Sequence, residues 1–280
     1  MTATLQSLAT DLLRLSLWLL LLALVFIPLE RFWAASTQPL RRQGWLTDLG
    51  HYFANGLLPA LVLAPLLGLV ALALHGLVPT GLHAWVAQLP VGLRIAAALV
   101  VGELGFYWGH RLMHTLPWLW PFHAIHHSAE QMDWLVNTRA HPFDMVFQRL
   151  CGYVPLYISG LAHPLAAGGD AVSIAVLLLG VVWGFFVHAN VRWRFGPLEH
   201  LLATPAFHHW HHANDGPATL NKNYAALLPW MDRLFGSYHL PAHLPRYYGS
   251  DTPVPPTLLG QWLQPLGLNK AAAPAREPPP

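Results

Sequence analysis

The chain has 280 residues, 54% of them hydrophobic and only 10% charged, with a formal net charge of +2 and a mean hydropathy of +0.39. Soluble domains carry about a quarter of their residues as charges, so this composition excludes an ordinary soluble domain and points to an integral membrane protein. Cys151 is the only cysteine, which excludes disulfides, cysteine-based zinc fingers and cysteine-ligated iron–sulfur clusters within the chain, and no basic run suggests nucleic acid as a partner.

Residues 12–29 form an almost continuous apolar run, with Thr10 and Asp11 as its expected N-terminal cap and Arg14 close enough to the interface to snorkel. The run reads as a first span rather than a cleaved leader, because Pro28, Glu30 and Arg31 stand where small residues would mark a cleavage site. Residues 30–55 are more polar, hold Arg41, Arg42 and Asp48, and are expected at a membrane surface. Residues 57–78 are long enough to cross at about 1.5 Å per residue, with Pro59 and Pro65 permitting a kink. After a turn at 79–90 without Lys or Arg, residues 91–109 form another apolar run, which carries Glu103 and leads straight into histidines. A carboxylate in such a run is costly enough to suggest a function, here a contact to a metal-ligating histidine. Apolar character returns at 145–161, where Arg149 and Pro155 suggest a tilted or re-entrant helix, and at 171–188, a further span. Pro164 and Gly168-Gly169 mark the turn between them, and the terminal AAAPAREPPP is expected to be disordered.

Arg31, Arg41, Arg42, Arg111, Arg139, Arg192, Arg194, Lys222, Arg233 and Arg246 fall in loops that share one side if the spans alternate, while 79–90 and 162–170 contain no Lys or Arg. The positive-inside rule makes that shared side the cytoplasm.

The same side carries the histidines. Residues 110–127 read HRLMHTLPWLWPFHAIHH: His110 and His114 are four apart, and His123, His126 and His127 repeat the three-and-four spacing. His208, His211 and His212 repeat it again within TPAFHHWHHA. On helices each set is expected to face one side, the way a helix presents ligands to a metal. A lone histidine is more often a hydrogen-bonded core residue, but distant clusters with matching spacing point to one shared site. With His141 and His188 there are ten candidates, more than the about four ligands of a structural zinc and enough for two ions. Imidazole suits zinc, copper, iron and nickel alike, so the histidines alone do not name the metal.

HRLMH, FHAIHHS, NTRAHP, FVHAN, TPAFHHWHH and NKNYAALLPWMDRLFGSY, in that order between about Glu103 and Tyr238, resemble the fatty acid hydroxylase and sterol desaturase superfamily of membrane di-iron oxygenases. The resemblance implies an all-α, polytopic membrane helical bundle of four to five spans. A cytosolic cap of short helices would carry a histidine-only site for two iron ions, positions that zinc can also fill. The implied reaction is oxidation of a lipid C–H bond by dioxygen, ending in hydroxylation or desaturation of a fatty acyl, sterol or related substrate. By motif position the implied metal ligands are His110, His114, His123, His126, His127, His141, His188, His208, His211 and His212, with Glu103, Asn137 and Asn190 as catalytic residues beside them. His209 fills a variable position and is left out.

The chain departs from the usual motifs at Asn223-Tyr224-Ala225 and Trp230-Met231-Asp232, which bears on substrate subgroup rather than chemistry. Asp232 and Arg233 are expected to form a structural ion pair. The implied layout is an N-terminal span and surface segment over 1–56, a catalytic membrane domain over 57–240 and a C-terminal extension over 241–280. Trp118, Trp120, Trp134, Trp183, Trp193 and Trp210 either line a lipid path or anchor at the interface. No GxGxxG turn, cysteine cluster or fused haem domain is present, so electrons are expected from a separate donor, a reductase with ferredoxin or cytochrome. An Arg-rich composition with only Lys222 and Lys270 as lysines resembles a GC-rich bacterial coding bias, and the expected location is a bacterial inner membrane, multi-pass, with the active site facing the cytoplasm. The alternative is a membrane metal-binding or transport protein without oxygenase activity, disfavoured because only Glu103 is an ionisable residue deep in a span. A zinc hydrolase is disfavoured because there is no HExxH.

Overall fold

A computed structural model describes residues 2–74, 78, 80–161 and 171–268; the expected turn at Pro164 and Gly168-Gly169 and the AAAPAREPPP end lie outside them. Among the described residues every regular element is helical: α1 (Thr2–Phe32), α2 (Trp45–Leu74), α3 (Thr80–Gln88), α4 (Val91–Thr115), α5 (Trp120–His123), α6 (Pro142–Ile158), α7 (Ala171–His188), α8 (Pro205–His211), α9 (Trp230–Leu234) and α10 (Leu258–Leu263).

Two sequence expectations shift at the N-terminal end. Helix α1 runs through its expected cap, since Thr10 Oγ1 donates to the Gln6 carbonyl and Asp11 pairs with Arg14 at 2.9 Å within the helix. Helix α2 starts well before residue 57 and is bent by 41° between its halves Trp45–Leu58 and Val62–Leu74.

By length and apolarity α1 (over Leu5–Phe32) and α4 qualify to cross a membrane, and α2 adds a third crossing if its bent halves count as one. Among the described residues this makes two or three candidate spans, where hydropathy leads to an expectation of four or five. Helix α6 has 17 residues, about 25 Å at 1.5 Å per residue and short of a ~30 Å hydrocarbon core.

Most of residues 30–55 are exposed or half-buried, but two of their charged side chains are not. Arg42 and Asp48 are buried and join Asp133 and Arg139 in one ion cluster. Arg42 donates to both carboxylate oxygens of Asp133 at 2.7 Å and to Asp48 at 2.6 Å, and Arg139 donates to Asp48 at 2.5 and 3.0 Å. Asn55 Nδ2 adds bonds to the carbonyls of Thr138 and Ala140. Bidentate guanidinium–carboxylate pairing satisfies the charges without water, so the first turns of α2 hold residues 133–140 in place. Beside the cluster, Phe26 of α1, Trp134 and Phe185 of α7 form an aromatic core in which Phe26 and Trp134 stack at 5.9 Å. Residues of the C-terminal segment return to α2: Thr47 Oγ1 donates to the Pro256 carbonyl, and His51 meets Gln261 Oε1 at 2.7 Å.

Helices α4 and α6 approach through Gly102, Gly105 and Gly109, which the three- and four-residue spacing puts on one stripe of α4. A Cβ at Gly105 would stand 2.1 Å from the Cys151 carbonyl oxygen, and one at Gly109 would stand 2.7 Å from Cys151 Cβ. This close approach brings the histidine-bearing end of α4 beside the first turn of α6. Gly105→Ala is therefore expected to destabilise the protein by the ~1–3 kcal/mol of an overpacked core, seen as a lower melting temperature in detergent. Gly68→Ala on α2, where an added Cβ meets nothing within 4 Å, is expected to leave the melting temperature unchanged or slightly raised.

Candidate metal centre

The histidines sit on two long helices, α4 and α7, and on short elements between and after them. Pro205 opens α8 and Thr204 Oγ1 accepts from the Phe207 amide at 3.3 Å, an ordinary Thr cap with Pro in the first turn. His126 and His127 lie in a single turn of 3-10 helix, His126–Ser128. His110 and His114 share a face in the last turns of α4, and His188 ends α7.

Nine of the ten expected ligands converge, in two groups. His110, His114, His123, His127 and His211 offer ring nitrogens that lie within 4.8 Å of one another, and His126, His188, His208 and His212 do the same. The groups share a wall, where the His127 and His212 rings stack with centroids 4.4 Å apart. The sequence sets do not each serve one position. Successive residues of a helical turn point roughly 100° apart, so His127 joins the five-member group and its neighbour His126 the four-member group. On α8, His208 and His212 share one side while His211 turns to the other group.

The tautomers follow from what the other ring nitrogens face. Nδ1 of His110 donates to the Tyr224 carbonyl at 2.7 Å, that of His126 to Arg139 O at 3.0 Å, that of His188 to Gly184 O at 2.7 Å and that of His211 to Lys222 O at 2.8 Å. His123 Nδ1 donates to Asp144 Oδ2 at 2.9 Å. Carbonyls and carboxylates only accept, so these Nδ1 atoms carry the proton and leave Nε2 as a bare lone pair. Those Nε2 atoms nevertheless sit in contact: 3.0 Å for His110 and His123 and 3.2 Å for His126 and His188. Facing lone pairs repel unless a cation lies between them. Protons do not supply it at neutral pH, because burial, with the His123 imidazole next, pushes His126 down to about 4. Burial and neighbouring imidazoles likewise hold His127, His208, His211 and His212 well below the usual histidine range. Buried His114 Nε2, His208 Nδ1 and His212 Nδ1 have no hydrogen-bond partner at all. Neutral imidazoles oriented through Nδ1, with orphaned nitrogens converging, fit a pair of late first-row metal ions.

Four expected residues stand apart from the groups. His141 accepts from the Phe143 amide through Nδ1 and contacts the Trp262 carbonyl through Nε2, so both its nitrogens are engaged and it caps α6 instead. Glu103 does not touch a ring: its Oε1 accepts from the amides of Leu227 and Leu228 at 2.7 and 3.1 Å, pinning the segment whose Tyr224 carbonyl orients His110. Asn190 pairs with the backbone of Ser36 in both directions and ties the end of α7 to the turn after α1. Asn137 lies against Gly184, where a Cβ would come within 2.7 Å of its Oδ1.

Asp232 does not pair with Arg233. Its carboxylate accepts from the Tyr224 and Ala225 amides at 2.8 and 2.9 Å and from Ser237 Oγ, while Arg233 covers the Tyr238 ring. The residue sequence reasoning overlooked is Asp144, three positions after His141. It sits buried in the first turn of α6, bonded to His123 and to Gln148. An acid opening a helix just after a histidine motif was its available signal. Of the tryptophans, Trp120 lies over the centre, 5.2 Å from the His114 ring, whereas Trp134 belongs to the aromatic core.

The family described as fatty acid hydroxylase matches residues 95–237, just over half of the chain and a stretch that contains all nine converging histidines. Ornithine lipid hydroxylase of Rhizobium tropici is 38% identical over 160 residues, covering 57% of this chain and 46% of that protein. Alkylglycerol monooxygenase is 35% identical over 136 residues in Danio rerio and 32% identical over 136 residues in Homo sapiens, each covering 49% of this chain and 28% of the relative. The chain thus spans less than half the length of these relatives. No solved structure matches it with significance.

The buried imidazoles set a pH dependence. His126 and His209 are both held at about 4 in the folded protein, against 6.5 unperturbed, so the unfolded chain binds more protons between those values. Stability of the metal-free protein is expected to be full above pH 6.5 and to fall progressively toward pH 4, read as a declining melting temperature across that window.

Proposed function

The chain belongs to the fatty acid hydroxylase family, within the fatty acid hydroxylase and sterol desaturase superfamily, and from that premise we propose that it is an integral membrane oxidoreductase that uses dioxygen at two iron ions to hydroxylate a lipid. The observation that carries the reading is the pair of buried groups in which nine imidazoles converge, with lone pairs facing one another at 3.0 Å in one group and 3.2 Å in the other. His110, His114, His123, His127 and His211 would hold one ion and His126, His188, His208 and His212 the other. The ion pair, when bound, would supply the activation of dioxygen and the removal of hydrogen from an unactivated carbon.

The chain's own residues hold and orient. Asp144 and the carbonyls of Tyr224, Lys222, Arg139 and Gly184 keep five imidazoles in the Nδ1–H tautomer with Nε2 turned inward, so ligand geometry is set before any ion arrives. Glu103 and Asp232 act one residue further out, through the backbone of 224–228. Helices α4 and α7 are apolar along their lengths and end in His110, His114 and His188, so a chain dissolved in the bilayer meets the centre at the membrane surface. This favours an amphiphilic lipid whose reacting carbon lies near its headgroup. In net terms RH + O2 + 2 electrons + 2 protons gives ROH + H2O, with the electrons from a separate reductase with ferredoxin or cytochrome. A multi-pass arrangement with the centre on the cytoplasmic side follows from the basic loops. The relatives whose names specify ornithine lipid and alkylglycerol make aminoacyl and ether lipids the first substrates to try.

His126→Ala is expected to lower oxygen-dependent product in membranes by two orders of magnitude or more and to reduce bound iron, measured by lipid mass spectrometry and metal analysis; product at the wild-type level in this variant overturns the reading. Asp144→Asn, which keeps shape but removes the charge behind His123, is expected to weaken metal affinity by the 10- to 100-fold typical of a lost outer partner, measured by competition with a chelator.

A further inference from the structure

The two histidine groups are not equally enclosed. His114 is the only one of the nine that is not fully buried, and its Nε2 has no hydrogen-bond partner. Beside it lies a cavity of about 280 Å³ lined by His114, His127 and His211 of the five-member group and by none of the four-member group. The rest of the wall mixes Ala213 and Leu220 with the polar side chains of Asn214, Asn221, Ser250 and Asp251. Asn214 Nδ2 donates to Asp251 Oδ1 at 2.9 Å, which holds that exposed carboxylate beside the cavity. Trp120 shares that wall with the imidazoles, its ring centroid 5.2 Å from His114 and 5.7 Å from His127. One hydrogen bond fixes it there, Nε1–H to Thr252 Oγ1 at 2.7 Å, and Thr252 belongs to an irregular stretch after α9. The carboxylate, carboxamide and hydroxyl oxygens in that wall suit a hydrated divalent cation.

We propose that this cavity is an aqueous port of the five-histidine group, through which a hydrated divalent cation loads and leaves. The Trp120–Thr252 bond is its latch and Asp251 its cation-attracting group. The proposal rests on the metal-centre reading above and adds that the two positions exchange at different rates, because the four buried imidazoles of the other group line no part of the port.

The test uses the full chain in detergent, loaded with cobalt(II) and then challenged with excess chelator, with the loss followed by absorbance and by metal analysis. The expected result is two phases of equal amplitude. Thr252→Val and Trp120→Phe, each lacking the latch, are expected to quicken the fast phase about five-fold, the worth of one ordinary hydrogen bond, and to leave the slow phase unchanged. Asp251→Asn is expected to slow reloading of the fast position at low ionic strength, a difference that disappears near 1 M salt, where the screening length is ~3 Å. Two ions leaving in a single phase, or latch variants that alter only the slow phase, overturn the port alone. A chain that retains no divalent ion overturns the port together with the metal-centre reading.

Discussion

Electron pairs on neighbouring imidazoles, turned toward one another inside a buried space, are what the rest of the molecule has to sustain. Left to themselves the rings would rotate, take up protons or reach for water, and burial forbids the last two. They stay because each of five rings is tethered from behind, four by a main-chain carbonyl and one by Asp144. A ring with its Nδ1 proton committed has no other use for Nε2 than a cation. The arrangement is unfavourable without an ion and favourable with one, and metal binding and folding of this region are correspondingly linked.

The tethers are themselves held by buried charge. Arg139 presents its carbonyl to His126 and its guanidinium to Asp48, which also binds Arg42. Asp232 and Glu103 fix successive amides of 224–228, and that segment supplies the carbonyl for His110. Buried ion clusters are weak contributors to net stability, and here their geometry matters more than their energy: each converts one point on the backbone into a rigid support. Removing Glu103 or Asp48 would leave every histidine in the sequence and still loosen the rings.

Much of the centre was legible in the sequence because imidazole is chemically unambiguous and its spacing repeats. Nine positions could be named without coordinates, since three- and four-residue intervals survive translation into helical turns. What could not be read was the division of labour. Spacing suggests that a set serves one position, yet a tight turn sends His126 and His127 to opposite sides. Glu103, Asn137 and Asn190 were noticed for being polar in apolar or motif surroundings, and polarity does not tell whether a side chain grips a ring, an amide or another loop. Asp144 escaped because it falls at the junction between a histidine motif and an apolar run, where an acid looks like a boundary. The burial of two charges within 30–55 was hidden for a related reason: Arg42 and Asp48 look solvated until Asp133 and Arg139, some ninety residues on, close around them.

His126 and His127 are joined by one peptide unit, yet their rings belong to different groups. The spacing between the two positions is therefore written into covalent bonds at that point, and not left to packing. Packing relaxes when a neighbour changes size, but a planar amide does not stretch. For the same reason this is a place where the chain tolerates no insertion: a single extra residue would swing one ring by roughly 100° out of its group.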